Sequence, residues 1–525
     1  MPTSIGHGKI VCRDDHENRD EASDEFVWVP RTSAAHGLTP GEEKLVRGSA
    51  PISSFDYFFD GDGLPEDTEA FARLGDVGAK MLTDSGLIGP RGLPAILTYF
   101  GQFVDHDITL NTDADPSNHR EFAVAPPDGK LTRNARDEVR RVIVNGRIAS
   151  LRLDSLYGDD TDVEDVLRDG AKMRIGTTTS GQPNDLPRLA QLDTDHPLRQ
   201  MSGATPSTPL VGDARNDENL IVAQLHLAFL RFHNAIVDAL PTDMGEDKKF
   251  SEAKRLTILH YQWLVLEQYL PEICNREMLD RAVKEPAVFY QSFSNGTGKM
   301  PLEFSVAAFR FGHSMIRPQY RFNDSFQNAT LDDIFTFTGS GGGIQASGLP
   351  QIWVIDWANF LPDDDEERAA RGVDSKLAED LGKLFERNPM LRSLPARNLR
   401  RSYVLSIPTA QQVLRALGGH GPAPLTQDEL RGFGDGVLEQ HGYTEATPLW
   451  IYILLEAELR EGARRLGPLG SLIVAQTLVG LMAEDPNSVL NSRPGKGMPW
   501  HPSQEPIGGT VIDSFDAMLR FAGVL

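Results

Sequence analysis

The chain has 525 residues, 40% of them hydrophobic, enough for one large core or two to four smaller ones. It carries 52 Lys and Arg against 75 Asp and Glu, a net charge of −23, which argues against nucleic acid or an anionic membrane as the main partner. Two cysteines, Cys12 and Cys274, exclude a disulfide scaffold and a Cys/His zinc site, and they fit a reducing compartment or a bacterial source.

Residues 1–80 are polar and turn-rich and read as an N-terminal arm packed on a body formed by 81–525. The N-terminus has no apolar run of the kind a secretory signal needs, so the expected location is cytoplasmic by default, with leaderless export leaving no mark in the sequence. "DGDG" at 60–63 is an acidic turn, because Leu64 stands where a calcium loop needs Asp or Asn. From 81 onward the apolar spacing is helical. "RNDENLIVAQLHLAFLRFHNAIVDAL" (215–240) predicts one long helix, and "AKRLTILHYQWLVLEQYL" (253–270) another, stopped by Pro271. "PTAQQVLRALG" (408–418), "PLWIYILLEAELREGARRLG" and "LGSLIVAQTLVGLMAED" predict three more. Alternation of the strand type is confined to "RRVIVNGR" (140–147) and "QIWVIDW" (351–357). The predicted class is mainly α with few short strands. The longest apolar runs, "PLWIYILL" and "SLIVAQTLVGLMA", are too short to span a bilayer, so no transmembrane segment is expected.

Four stretches carry chemistry. In "GQFVDHDITL" (101–110), Gln102 and His106 share a helix face, with Asp105 and Asp107 on either side of the histidine. "GDARNDENL" (212–220) puts Arg215 and Glu218 one turn apart. "FRFGHSMIRPQYRF" (309–322) sets His313 in apolar surroundings beside Arg310. "LPARNLRRS" (394–402) offers Asn398 and Arg401. Each stretch alone is as well explained by packing: a core histidine with a partner, a surface ion pair, a basic helix end. His226, His233 and His260 are read as packing residues on the same ground.

Together and in this order, the four stretches resemble the animal haem peroxidase family, the group of myeloperoxidase, lactoperoxidase and peroxidasin, and most of all its bacterial members. The resemblance covers roughly residues 80–500. It implies a b-type haem between two helical walls. On one side His313 would ligate iron, Asn398 would accept the other ring N–H, and Arg310 and Arg401 would pair with the propionates. On the other side His106 would relay the peroxide proton, Arg215 would stabilise charge as the O–O bond breaks, and Gln102 would hold water or a halide. Asp105 and Glu218 match the carboxylates that esterify the haem. Asn219 stands where myeloperoxidase has its linking methionine, so two links are expected at most. The implied activity is reduction of hydrogen peroxide through an oxoferryl intermediate, with oxidation of a halide, thiocyanate or phenol, as in a response to peroxide stress.

The family's calcium loop corresponds to "GRIASLRLDSLYG" (146–158). Ile148 and Arg152 replace two of its ligands, leaving Asp107 and Asp154, a poor cage for an ion that takes six to eight oxygens. The expectation is that Arg152 takes the ion's place as counter-charge to Asp107. The alternative activity is that of the fatty-acid dioxygenases of the same superfamily, which carry a tyrosine where this chain has Arg310. A second alternative is a non-catalytic haem-binding protein.

Overall fold

The computed structural model describes Val11–Cys12 and residues 53–525, apart from 84–92, 114–121, 159–160, 201–203, 286–287, 340, 345–347, 363–367, 385–388 and 495–496. Most of the arm, residues 1–10 and 13–52, lies outside the described residues.

The architecture is mainly α. The elements that matter here are α1 (Ala70–Met81), α2 (Ala95–Ile108), α3 (Leu220–Ala239), α4 (Glu246–Trp263), α5 (Arg276–Lys284), α6 (Leu394–Val404), α7 (Leu449–Glu461) and α8 (Pro468–Glu484). Helix α2 is buried along its whole length, and α8 over fourteen consecutive residues, Leu469–Met482. Neither has a solvent side, and α8 accordingly carries no charged residue before Glu484. Helix α1 packs on α6, α2 on α3, α3 on α4, and α8 on both α5 and α7. Residues 53–81 join this core: Phe55, Leu74, Val77 and Met81 are buried in it.

Five short strands form a small mixed sheet at one side. In the order of the sheet they are β1 (Val11–Cys12), β3 (Asn111–Asp113), β4 (Ile143–Asn145), β2 (Ser53–Asp56) and β5 (Met300–Pro301). The outer pairs are parallel and the inner pairs antiparallel, with Thr112 opposite Val144 and Ser54 opposite Val144 from the other side. The sheet fastens the exit of α2, since β3 begins three residues after Ile108.

Three sequence expectations need correction. The stretch 351–357 is not a strand but two 3₁₀ turns, Gln351–Trp353 and Trp357–Asn359. Its alternation is real as burial, with Trp353, Ile355 and Trp357 inward, but no strand pairs with it among the described residues. The helix expected to stop at Pro271 continues through it: α4 passes into a π-helical turn, Leu264–Tyr269, then into Leu270–Ile273. Pro271 sits in the first turn of that last piece, where a missing N–H costs nothing. The helix expected from 215 begins at Leu220, after a 3₁₀ turn over Ala214–Asp217. The Asn219 side chain caps it, accepting from Val222 N at 2.9 Å. By length and composition α3 could cross a membrane, but 83% of its most apolar window is buried inside the molecule, as for a core helix.

Candidate active site

Two walls face a cleft lined by Leu97, Thr98 and Gln102 from α2 and by Gly312, His313 and Met315 from the 3₁₀ helix Ala308–His313 and the turn after it. The histidines of the two walls are buried, as are Asp105, Arg215, Arg310, Asn398 and Arg401, while Glu218 is half-buried. Side chains from stretches more than 200 residues apart thus share one buried region.

On the α2 side, Arg215 is held rigidly. Its Nε and Nη2 grip the Asp213 carboxylate at 2.7–3.2 Å, and Nη2 also donates to the carbonyls of His106 and Thr109. Arg147 donates to the same carboxylate at 2.7 Å. Burial opposes the charge on Asp213, but Arg215 and Arg147 overcome it and hold the carboxyl well below its usual range. Asp213 also accepts from Arg215 N, capping the 3₁₀ turn. His106 Nδ1 lies 2.8 Å from Asn216 Oδ1, and Asn216 Nδ2 lies 2.9 Å from His226 Nδ1. Asn219 Nδ2 donates to Gln102 Oε1 at 3.0 Å. That turns the Gln102 amide nitrogen the other way, buried and without a hydrogen-bond partner among the described residues. Arg215 Nη1 is in the same condition.

On the other wall, Asn398 Nδ2 meets His313 Nδ1 at 2.8 Å, and Arg310 Nη1 donates to Asn398 Oδ1 at 2.6 Å. This contact has the opposite polarity to the one expected. With its oxygen taken by Arg310, Asn398 donates to the ring instead of accepting from it, which puts the His313 proton on Nε2. Ligation of iron through Nε2 therefore requires the amide to turn over and Arg310 to find another acceptor. Trp450 of α7 packs edge-on against His313, ring centroids 6.3 Å apart, and donates from Nε1 to the Arg310 carbonyl. Burial lowers the Arg310 guanidinium to about 9, and the charges of Arg401 and Arg397 push the same way, while Asp105 opposes them. Arg397 and Arg401 are themselves buried, so the three form a cationic cluster inside the molecule.

These features fit a haem: a histidine in the cleft wall, a buried cationic cluster suited to propionates, and donors without partners on the opposite side. Calcium fits poorly. Asp107 Oδ2 accepts from Leu153 N at 3.0 Å and Oδ1 from Ser155 N at 3.3 Å, so both oxygens serve the start of the helical turn Asp154–Tyr157. N–H groups cannot ligate a cation. No group of three or more His, Cys, Asp or Glu side chains suited to a metal occurs among the described residues. The expectation for Arg152 is wrong in its partner: Arg152 is half-exposed and pairs with Asp485 at 3.2 Å, because Asp107 already has backbone donors. Burial, then the neighbouring Asp154 carboxylate, raise Asp107 to about 7.

His233 and His260 behave as packing residues, bonded to Tyr157 Oη and the Ala171 carbonyl and to the Leu256 carbonyl respectively. His226 does not: it ends the chain that runs through Asn216 to His106. Sequence reasoning missed Asp213, Asn216, His226 and Trp450. Only Asp213 left a signal, an acid two residues before an arginine.

The sequence profile described as animal haem peroxidase matches residues 76–338, half of the chain. A peroxidase-like protein of Margaritifera margaritifera is 27% identical over 259 residues, 42% of this chain and 31% of that protein. Thyroid peroxidase of Rattus norvegicus is 26% identical over 293 residues, 46% of this chain and 32% of that protein. The matched region thus spans about a third of these relatives. In fold, the chain is similar to peroxidase A of Dictyostelium discoideum, with TM-score 0.58, 17% identity, and 87% and 92% of the two chains covered. It is similar also to a fatty acid alpha-dioxygenase of Arabidopsis thaliana, with TM-score 0.57, 14% identity, and 89% and 78% covered.

Proposed function

The chain belongs to the animal haem peroxidase family, and on that premise we propose that it is a haem-dependent peroxidase that reduces hydrogen peroxide and oxidises a small reductant such as a halide, thiocyanate or phenol. The observation that carries this reading is the pairing of His106 and Arg215, buried side by side on a scaffold of backbone carbonyls and Asp213. Bound haem would supply the redox chemistry and the site at which peroxide is cleaved. His313 would hold it from one wall, Arg310 and Arg401 would neutralise its propionates, and Asp105 and Glu218 are the carboxylates proposed to link it covalently. His106 would take the proton from one peroxide oxygen and return it to the other. Arg215, kept charged by Asp213, would stabilise the negative charge that develops on the departing oxygen. Gln102 would present its amide N–H to water or an anion. Arg310 argues against the fatty-acid oxygenase reading, because it fills the position of the oxygenase tyrosine and bonds to Asn398.

The test is His106→Ala in haem-loaded protein. The peroxide step should slow by roughly two orders of magnitude or more, with haem content unchanged. A wild-type rate in the variant would contradict the assignment of His106. Rapid oxygen uptake with linoleate in the wild type would favour the oxygenase.

A further inference from the structure

We propose that Asn216 is a positioning residue that holds His106 with its proton on Nδ1, leaving Nε2 as the proton-accepting nitrogen, and that His226 holds Asn216 in the required orientation. The inference rests on the proposed role of His106 and adds what fixes its tautomer.

The three side chains are fully buried, and with the amide placed as it is each contact has one sense. An amide oxygen only accepts, so Asn216 Oδ1, 2.8 Å away, requires a proton on His106 Nδ1. An amide nitrogen only donates, so Asn216 Nδ2, 2.9 Å from His226 Nδ1, requires a lone pair there. Burial drives the His226 pKa down to about 3, so the ring is neutral at any ordinary pH, and a lone pair on Nδ1 then puts its one proton on Nε2. Its ring is set edge-on against Phe103 of α2, centroids 6.1 Å apart and planes at 85°. The backbone of Asn216 is tied into the same turn as Arg215, its N–H donating to the Asp213 carbonyl at 3.0 Å. One short turn therefore carries both the guanidinium and the amide that orients the imidazole. The amide turned over would give the opposite result: His226 would donate, Asn216 would donate to His106 Nδ1, and the His106 proton would move to Nε2. A histidine in that state cannot accept a proton from peroxide. A neutral orienting amide also leaves His106 more weakly basic than a carboxylate would, which suits a group that must give the proton back.

The experiment compares Asn216→Leu, Asn216→Asp and His226→Phe in haem-loaded protein. It follows two rates by absorption: the reaction with peroxide and the association of cyanide, which binds as the acid and must shed its proton to a base. Asn216→Leu removes the acceptor and should slow both rates tenfold or more, since a histidine in the wrong tautomer is a poor base. Asn216→Asp keeps an acceptor oxygen and should stay within tenfold of the wild type. His226→Phe should lose threefold to tenfold. The step in which the reductant restores the resting enzyme should be unchanged in all three. A neutron map of the wild type should place the proton on His106 Nδ1. Either a proton on Nε2, or both rates within threefold of wild type in Asn216→Leu, would overturn the proposal. If the wild type fails to react with peroxide, the proposed function falls, while cyanide association and the neutron map still decide the role of Asn216.

Discussion

Asn219 makes two hydrogen bonds of opposite sense: its oxygen accepts from Val222 N to cap α3, and its nitrogen donates to Gln102 Oε1. The two functions separate by substitution. Asn219→Ser retains a cap of similar strength and removes the donor. We expect the melting temperature to hold. Fluoride binding to haem-loaded protein should weaken roughly fivefold, the value of one lost hydrogen bond of about 1 kcal/mol. Unchanged fluoride affinity would mean that Gln102 orients itself. At this scale the sequence was partly readable. Gln102, His106, Arg215, His313 and Asn398 stand in four stretches that say little singly but in their order resemble the family, and the fold buries all five. The polarity of each amide was not readable, because it depends on the third partner. Asn398 faces His313 with its nitrogen because Arg310 takes its oxygen, and Asn216 faces His106 with its oxygen because His226 takes its nitrogen. The third partner lies 88 positions away in one case and 10 in the other.

Between helices, the contact that shapes the cleft is Gly101 of α2 against Tyr269. A Cβ at 101 would run into the Tyr269 hydroxyl. Tyr269 closes the π-helical turn Leu264–Tyr269, and both residues line the cleft. The π turn ends at Tyr269, and it is this residue that meets α2. Gly101→Ala should therefore destabilise the fold by about 1–3 kcal/mol despite alanine's better helix propensity, through overpacking. A chemical-denaturation midpoint at or above wild type would refute this. The same turn explains why Pro271 misled: a proline read against one continuous α-helix is a stop, and read after a π turn it is a beginning. The buried alternation at 351–357 misled in a similar way, since inward and outward positions record the core and not the presence of a pairing strand.

Over the whole molecule, buried carboxylates hold loops and helix starts in place. Glu303 accepts from Phe58 and Phe59 N, and Glu456 from Leu469 and Gly470 N at the start of α8. Burial raises Glu303 to about 7 and Glu456 to about 8. A carboxyl whose folded pKa lies above its unfolded value binds its proton more tightly in the fold. Stability from this source is present below the unfolded value, near 4.5, and falls as pH rises toward 8. Glu456→Gln keeps an acceptor without a charge. Its melting temperature should decline less than that of wild type between pH 6 and 9, and parallel profiles would show that Glu456 is not the titrating group.

The central claim is that the two buried walls hold a haem that meets peroxide and that Asp105 and Glu218 retain it. One measurement bears on this most directly: the absorption spectrum of purified haem-loaded protein before and after peroxide, followed by acid–organic extraction. We predict a high-spin ferric spectrum that changes on adding peroxide, and haem that stays with the protein after peroxide treatment and extraction. A fully loaded protein whose spectrum ignores peroxide would contradict the peroxidase account and favour a haem-binding role. Haem that reacts but extracts freely after repeated peroxide treatment would contradict the covalent links.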